Sequence, residues 1–150
     1  MSLNRILDTD AEIALLRLAY AEAAEHGTDP STQNGAILVD RFAVPVAWGS
    51  NHFPRGVKES SERWQRPLKY SYVEHAERNA IFDAALRGVE TNGLTMYCPW
   101  FACSDCARAI IQCGIDEVVG HKAIFDMTPD HWKDSIAIAI GMLDEAGVRH

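Results

Sequence analysis

The sequence predicts an α/β layered domain in which strands alternate with helices and the later strands run parallel. Three observations carry this: apolar residues recur at helical spacing in four segments, short Val- and Ile-rich runs lie between them, and Gly, Pro, Asn and Asp mark the boundaries. "TDAE" at 9–12 has the spacing of a capping box, and Ile13, Leu16, Tyr20 and Ala23 continue one apolar face up to Gly27, which predicts the first helix. "DPSTQNG" reads as a turn. "AILVD" (36–40) and "AVPVAW" (43–48) are then two adjacent strands, and Pro45, which cannot donate to a ladder, suits an edge. Residues 51–71 show no clean period and carry two prolines, so they form a long loop of the kind that is usually functional or disordered. The second helix lies in "YVEHAERNAIFDAA" (72–85), with Ala76, Ala80, Ile81, Ala84 and Ala85 at helical spacing, and ends at Gly88. "LTMYC" (94–98) is a third strand, "CSDCARAIIQC" (103–113) a third helix stopped by Gly114, and "IDEVVG" (115–120) a fourth strand. The last helix starts from Thr128 as N-cap and Pro129 as first helical residue, presents Trp132, Ile136, Ala139 and Leu143 on one side, and stops at Gly147.

Composition bounds the function. A chain of 150 residues with 47% hydrophobic content is long enough for one core and short for two, so residues 1–150 are expected to form a single domain. The formal charge of −7 argues against a surface that neutralises many phosphates, and a nucleic acid polymer is not expected as partner. The first residues lack the features of a secretory signal and no apolar run is long enough to span a membrane, which makes a cytoplasmic protein the expectation. Cys98, Cys103, Cys106 and Cys113 fall in one short segment, which in a reducing compartment suggests metal or redox chemistry more than disulfides.

His75 and Glu77 stand two apart where the second helix should begin. Two residues span about 200° of helical rotation, so along a helix they share no face, but within a first turn they can flank a ligand beyond the helix end. Cys103 and Cys106 stand in the same relation to the third helix, as a C-x-x-C. Two helix N-termini would then converge on one point, and their partial positive charge favours thiolates. His75, Cys103 and Cys106 supply three ligands suited to zinc and leave the fourth position open, the pattern of a catalytic site. Zinc brings the pKa of a bound water to about 7, and an unligated Glu77 can move that water's proton to a substrate. Other readings of the same residues exist. C-x-x-C alone serves redox pairs and half-sites of structural zinc, and Cys98, Cys103 and Cys106 together spell the C-x4-C-x2-C of an iron–sulfur protein. Against the latter, Cys98 and Cys113 are more simply small buried residues. His26, His121, His131 and His150 read as surface or capping residues, and Trp100 and Phe101 as core or pocket wall.

H-x-E followed by C-x-x-C resembles the zinc-dependent cytidine and deoxycytidylate deaminases. "DPSTQNGAILVD", "GSNHFPRGV", "KYSYVEHAERNAI" and "CSDCARAIIQCGIDEVV" are similar to successive blocks of the deoxycytidylate (dCMP) branch, in order, over roughly residues 28–121. The resemblance implies a three-layer fold with a mixed sheet of about five strands flanked by helices, in a homo-oligomer. It implies zinc on His75, Cys103 and Cys106, with Glu77 as proton shuttle. It also implies that Asn51 contacts the sugar, that Arg55 lies near the phosphate and that the Ala76 backbone meets the pyrimidine edge. The implied reaction is hydrolytic deamination of a pyrimidine nucleotide, dCMP to dUMP and ammonia; a nucleoside, free base or modified base is the alternative substrate. A structural metal or iron–sulfur module is the alternative outside enzymology.

Several positions depart from that pattern. Ala102 stands for the proline before the first cysteine, His52 for a glycine after Asn51, Ser50 for a tyrosine, and Asn34 for an aliphatic residue. They lie around the expected pocket and effector positions, so they bear on the exact base and on control by dCTP. The loop offers separate evidence for an anionic substrate. Arg55, Lys58, Arg63, Arg66 and Lys69 face only Glu59 and Glu62, a net +3, while the rest of the chain carries 9 cations against 19 anions.

Overall fold

The structure, a computed structural model, describes residues 9–150. The elements are α1 (Thr9–His26), β1 (Gly35–Val39), β2 (Pro45–Ser50), a 3-10 turn (Leu68–Ser71), α2 (Ala76–Arg87), β3 (Thr95–Tyr97), α3 (Ser104–Gln112), β4 (Glu117–Val119), α4 (Lys122–Asp126) and α5 (Asp130–Ala146). The Thr9 side chain, expected as a cap, lies outside the described residues. Strand order is β2-β1-β3-β4, with β1 antiparallel to both neighbours and β3 parallel to β4. The sheet is mixed, β2 is its edge, and Pro45 opens that edge strand, where its missing N–H costs no ladder bond. Four strands are present among the described residues where about five were expected. Beyond β4 the chain contributes one parallel bridge, Glu117 to Arg149, after Gly147 ends α5 in the left-handed region at φ 74°.

Alternation along β1 divides the layers. Ile37 and Val39 face one side with Tyr97, Leu15 and Ala19, the α1 side. Ala36 and Leu38 face the other, with Ala80 and Ala84 of α2, Ile110 of α3 and Leu143 of α5. Helices therefore cover both faces of the sheet.

The buried stripe of α1 is Leu15, Ala19 and Ala23, whereas Ile13 and Tyr20, expected on it, are 42% and 38% exposed. Close approach explains the rotation. A Cβ on Gly35 would lie 2.0 Å from the Ala19 carbonyl oxygen, so only small side chains fit along the contact line and the larger ones flank it. α2 approaches β2 in the same way: a Cβ on Gly49 would lie 2.2 Å from Ala80 N and 2.3 Å from Ala76 O. On α2, Ala76, Ala80 and Ala84 are buried as expected and Ala85 is exposed. α5 starts one residue later than expected, with Pro129 rather than Thr128 as N-cap, and Trp132 is only half-buried. The five-residue α4 is too short for its sequence to show a period.

The long 51–71 segment is anchored, not loose. Phe53 is buried between the rings of Trp64, at 4.1 Å, and Tyr72, at 5.4 Å. Lys69, 4% exposed, places its Nζ 2.7 Å from Asp29 Oδ2 and 2.6 Å from Ser31 Oγ, pinning the loop to the 29–34 turn. Removing one partner of such a buried pair typically costs about 3–5 kcal/mol. Among the described residues no helix is long and apolar enough to cross a membrane.

Gly49→Ala is expected to destabilise by at least the ~1–3 kcal/mol typical of overpacked cores, because the new methyl meets backbone atoms that no rotamer change can move. Denaturant unfolding checks this, and an unchanged midpoint contradicts the tight α2–β2 contact.

Candidate active site

His75 is the N-cap of α2 and Cys103 the N-cap of α3, both extended, at φ −76° and −75°. Neither side chain caps its own helix. The work is delegated: Asn51 Oδ1 accepts the Ala76 N–H at 2.8 Å while its Nδ2 donates to the Thr32 carbonyl at 2.9 Å. The freed side chains turn towards each other. His75 Nδ1 lies 3.6 Å from Cys103 Sγ and 3.6 Å from Cys106 Sγ, and the two sulfurs are 3.6 Å apart. A tetrahedral zinc with bonds of about 2.0–2.3 Å sets its ligands about 3.5–3.8 Å apart, so the three atoms fit one ion and leave one position open.

Glu77 completes the cluster. It is 2% exposed, and its Oε2 is buried without a hydrogen-bond partner among the described residues. Burial first of all raises its pKa, against a lowering by the His75 charge. An unpartnered buried carboxylate oxygen beside three converging ligands is what a catalytic water and a substrate amine would satisfy. The thiols split in pKa: the hydrogen bond they share holds Cys103 down at about 4 and pushes Cys106 well above the ordinary thiol range, with burial adding to the rise. Burial opposes charge on His75, but its hydrogen bond to Cys103 and the charges of Glu77 and Cys103 outweigh that and raise its pKa.

Cys98 and Cys113 stand apart from the cluster. The Cys98 thiol donates to the Trp100 carbonyl and Cys113 to the Ile110 carbonyl, and the group of potential metal ligands among the described residues is His75, Cys103 and Cys106. The iron–sulfur spacing therefore does not become an iron–sulfur geometry.

Residues 9–122 match the cytidine and deoxycytidylate deaminase zinc-binding region. The chain belongs to that family. It is 36% identical over 132 residues to the deoxycytidylate deaminase of Pongo abelii, covering 84% of this chain and 70% of that one. It is 37% identical over 120 residues to an uncharacterised deaminase in the luxG 3′ region of Aliivibrio fischeri, covering 80% and 78%. Its fold matches the dCMP deaminase of cyanophage S-TIM5 in complex with dCMP and dUMP, with a TM-score of 0.71, 22% identity and coverage of 96% and 97%. The cofactor of this deaminase is zinc, and the chain is a hydrolase.

His75, Glu77 and Cys103 of the cluster line a cavity. Trp100, Phe101, Trp132, Asn34, Asn51, Arg66 and Lys69 line it. Trp132 meets the His75 ring edge-on, with centroids 5.8 Å apart, so its place in the α5 stripe is pocket wall as much as core. Arg55 does not line this cavity. It lines a second one, with Trp48, His52, Phe82 and Leu86. The Ala76 N–H is engaged by Asn51, and both polar ends of the Asn51 amide are engaged in turn. In this structure Asn51 braces the start of α2 against the 29–34 turn. Sequence reasoning missed Lys69 and its partner Asp29 as structural supports; the signal available was their place inside the "KYSYV" and "DPSTQN" blocks.

Zinc uptake at pH 7 is expected to release protons, from the thiol pair, where Cys106 is pushed up, and from His75, whose pKa is raised. Zinc affinity should fall as pH drops through the raised His75 pKa. Calorimetry of the metal-stripped protein in buffers of different ionisation enthalpy measures both, and proton-neutral binding contradicts the ligand set.

Proposed function

We propose that this deaminase converts dCMP to dUMP and ammonia, as a cytoplasmic homo-oligomer, with His75, Cys103 and Cys106 holding zinc and Glu77 moving the protons. The observation that carries the reading is the orphaned Oε2 of Glu77, buried beside the three converging ligand atoms at the inner end of an aromatic-walled cavity. The deoxycytidylate deaminases of similar sequence supply the substrate. Zinc, when bound, acidifies a water towards neutrality and so provides the nucleophile.

The protein's own groups do the rest. Trp100, Phe101 and Trp132 pack the base and keep solvent from it. Glu77 Oε2 takes a proton as the water oxygen bonds to C4 of the pyrimidine, and delivers it to the ring nitrogen N3. The second proton goes through the same oxygen to the amino nitrogen. The C4–N bond then breaks, ammonia leaves, and C4 keeps the oxygen as a carbonyl. Burial that raises the Glu77 pKa suits a group that must hold a proton between the two transfers. Asn34, one of the departures that left another heterocycle open, engages its amide with Trp100: Oδ1 accepts the Trp100 N–H at 3.2 Å and Nδ2 reaches its carbonyl at 3.5 Å.

Glu77→Gln should keep zinc and fold while kcat falls by about 10²- to 10⁴-fold, since the amide preserves shape and removes the base. Ammonia release from dCMP, deoxycytidine and cytosine, with zinc content measured alongside, checks the reading. Near-normal turnover in the variant, or equal use of nucleoside and monophosphate by the wild type, would sink it.

A further inference from the structure

The fold sorts the five cations of residues 51–71. Arg55 faces the second cavity, and Lys58 lines neither. Arg63 donates to the Lys58 carbonyl at 2.7 Å and lies over the Tyr72 ring at 4.7 Å. Lys69 lines the cavity that holds Glu77, but Asp29 neutralises it. Arg66 lines that same cavity, is exposed, and has no carboxylate partner among the described residues. Its guanidinium is nevertheless held. Nε donates to the Tyr70 hydroxyl at 2.8 Å and Nη2 reaches Ser31 Oγ at 3.4 Å, while Lys69 Nζ fixes the same Ser31 Oγ at 2.6 Å. Two of the five N–H donors of the guanidinium are used in this way, and three remain with a full positive charge.

Resting on the reading of this cavity as a nucleotide deaminase site, we propose that Arg66 holds the 5′-phosphate of the substrate and that Tyr70 and Ser31 hold Arg66. A guanidinium fork matches phosphate oxygens bidentately, which a lysine cannot do. Lys69 and Asp29 on the same wall are already committed to each other. Asp29 accepts from Lys69, from the Ser31 hydroxyl and from the Ser31 and Thr32 N–H groups, so it does not repel an incoming anion as a free carboxylate would. Glu77, His75 and Cys103 form the inner wall, where the base reacts. The net +3 of the loop thus reduces, at the cavity, to one uncompensated cation.

The test is the ratio of kcat/KM for dCMP to kcat/KM for deoxycytidine, measured on zinc-loaded wild type, Arg66→Leu, Arg66→Lys and Arg55→Ala. Arg66→Leu is expected to lower the ratio about 10- to 150-fold, chiefly through KM for dCMP, with Arg66→Lys recovering part of it because the charge survives and the fork does not. The loss should shrink as salt rises, since the side chain is exposed. Inorganic phosphate should compete with dCMP in the wild type and do so more weakly in Arg66→Leu. An unchanged ratio in Arg66→Leu, with both substrates slowed equally or not at all, overturns the assignment, as does a selective loss in Arg55→Ala instead. A wild type that prefers dCMP while Arg66→Leu keeps the preference removes Arg66 and leaves the nucleotide reading standing; a wild type without the preference removes that reading itself.

Discussion

Two helix N-termini can meet at one point only if both helices lie low on the sheet, and for α2 that depends on the missing side chain of Gly49. Its Cα sits where a methyl would overlap the backbone of Ala76 and Ala80, so the first turn of α2 rests on β2 with nothing between them. Ala76, Ala80 and Ala84 extend the same close contact along the helix. The position of His75 and Glu77 relative to the sheet is therefore set by backbone packing, which is stiff, and not by long side chains, which are not. Cys103 and Cys106 reach the same point from α3, whose buried Ala107 and Ile110 join the same core.

That contact leaves the start of α2 with unpaired N–H groups, because His75 cannot both cap the helix and face the cysteines. Asn51 resolves the conflict from the end of the edge strand by accepting the Ala76 N–H. Its other end ties the helix start to Thr32, and Asp29 and Lys69 then tie that turn to the long loop. Strand, turn, loop and helix N-terminus are thus linked through a few buried polar contacts. Such networks are specific because each member left unpaired in low dielectric is costly.

Asn34 works in the same manner beside Trp100. A buried amide in place of an aliphatic side chain would be a liability if it faced an apolar base, but it pairs with both the N–H and the carbonyl of Trp100, and the Cys98 thiol donates to the same carbonyl. With Asn34 and Ala102 in place, the latter fully buried, His75, Cys103 and Cys106 still converge. Asn34 bears on how Trp100 is held in the cavity wall.

The amino-acid sequence by itself determined the order and type of most elements, because helix period, strand runs and Gly or Pro stops are local properties. It also singled out His75, Cys103 and Cys106, which the fold brings together, since H-x-E and C-x-x-C at two helix starts are short local patterns. Which residues of α1 face the sheet was legible only in part: Ala23 is buried as read, but Leu15 and Ala19 prevail over Ile13 and Tyr20, and Gly35 meets the backbone at Ala19 and Ala23 too closely for a large side chain there. The fifth strand shrank to one bridge at Arg149, a matter of how far the chain runs beside β4. The five loop cations could be counted in the sequence but not sorted. Arg55 and Arg66 are equivalent as local chemistry, and only the folded loop, anchored where Lys69 meets Asp29, puts the first in another cavity and the second in the cavity that Glu77 lines. Charge is a property of residues; which cavity a charge faces follows from long-range contacts, and those exist only once the chain has folded.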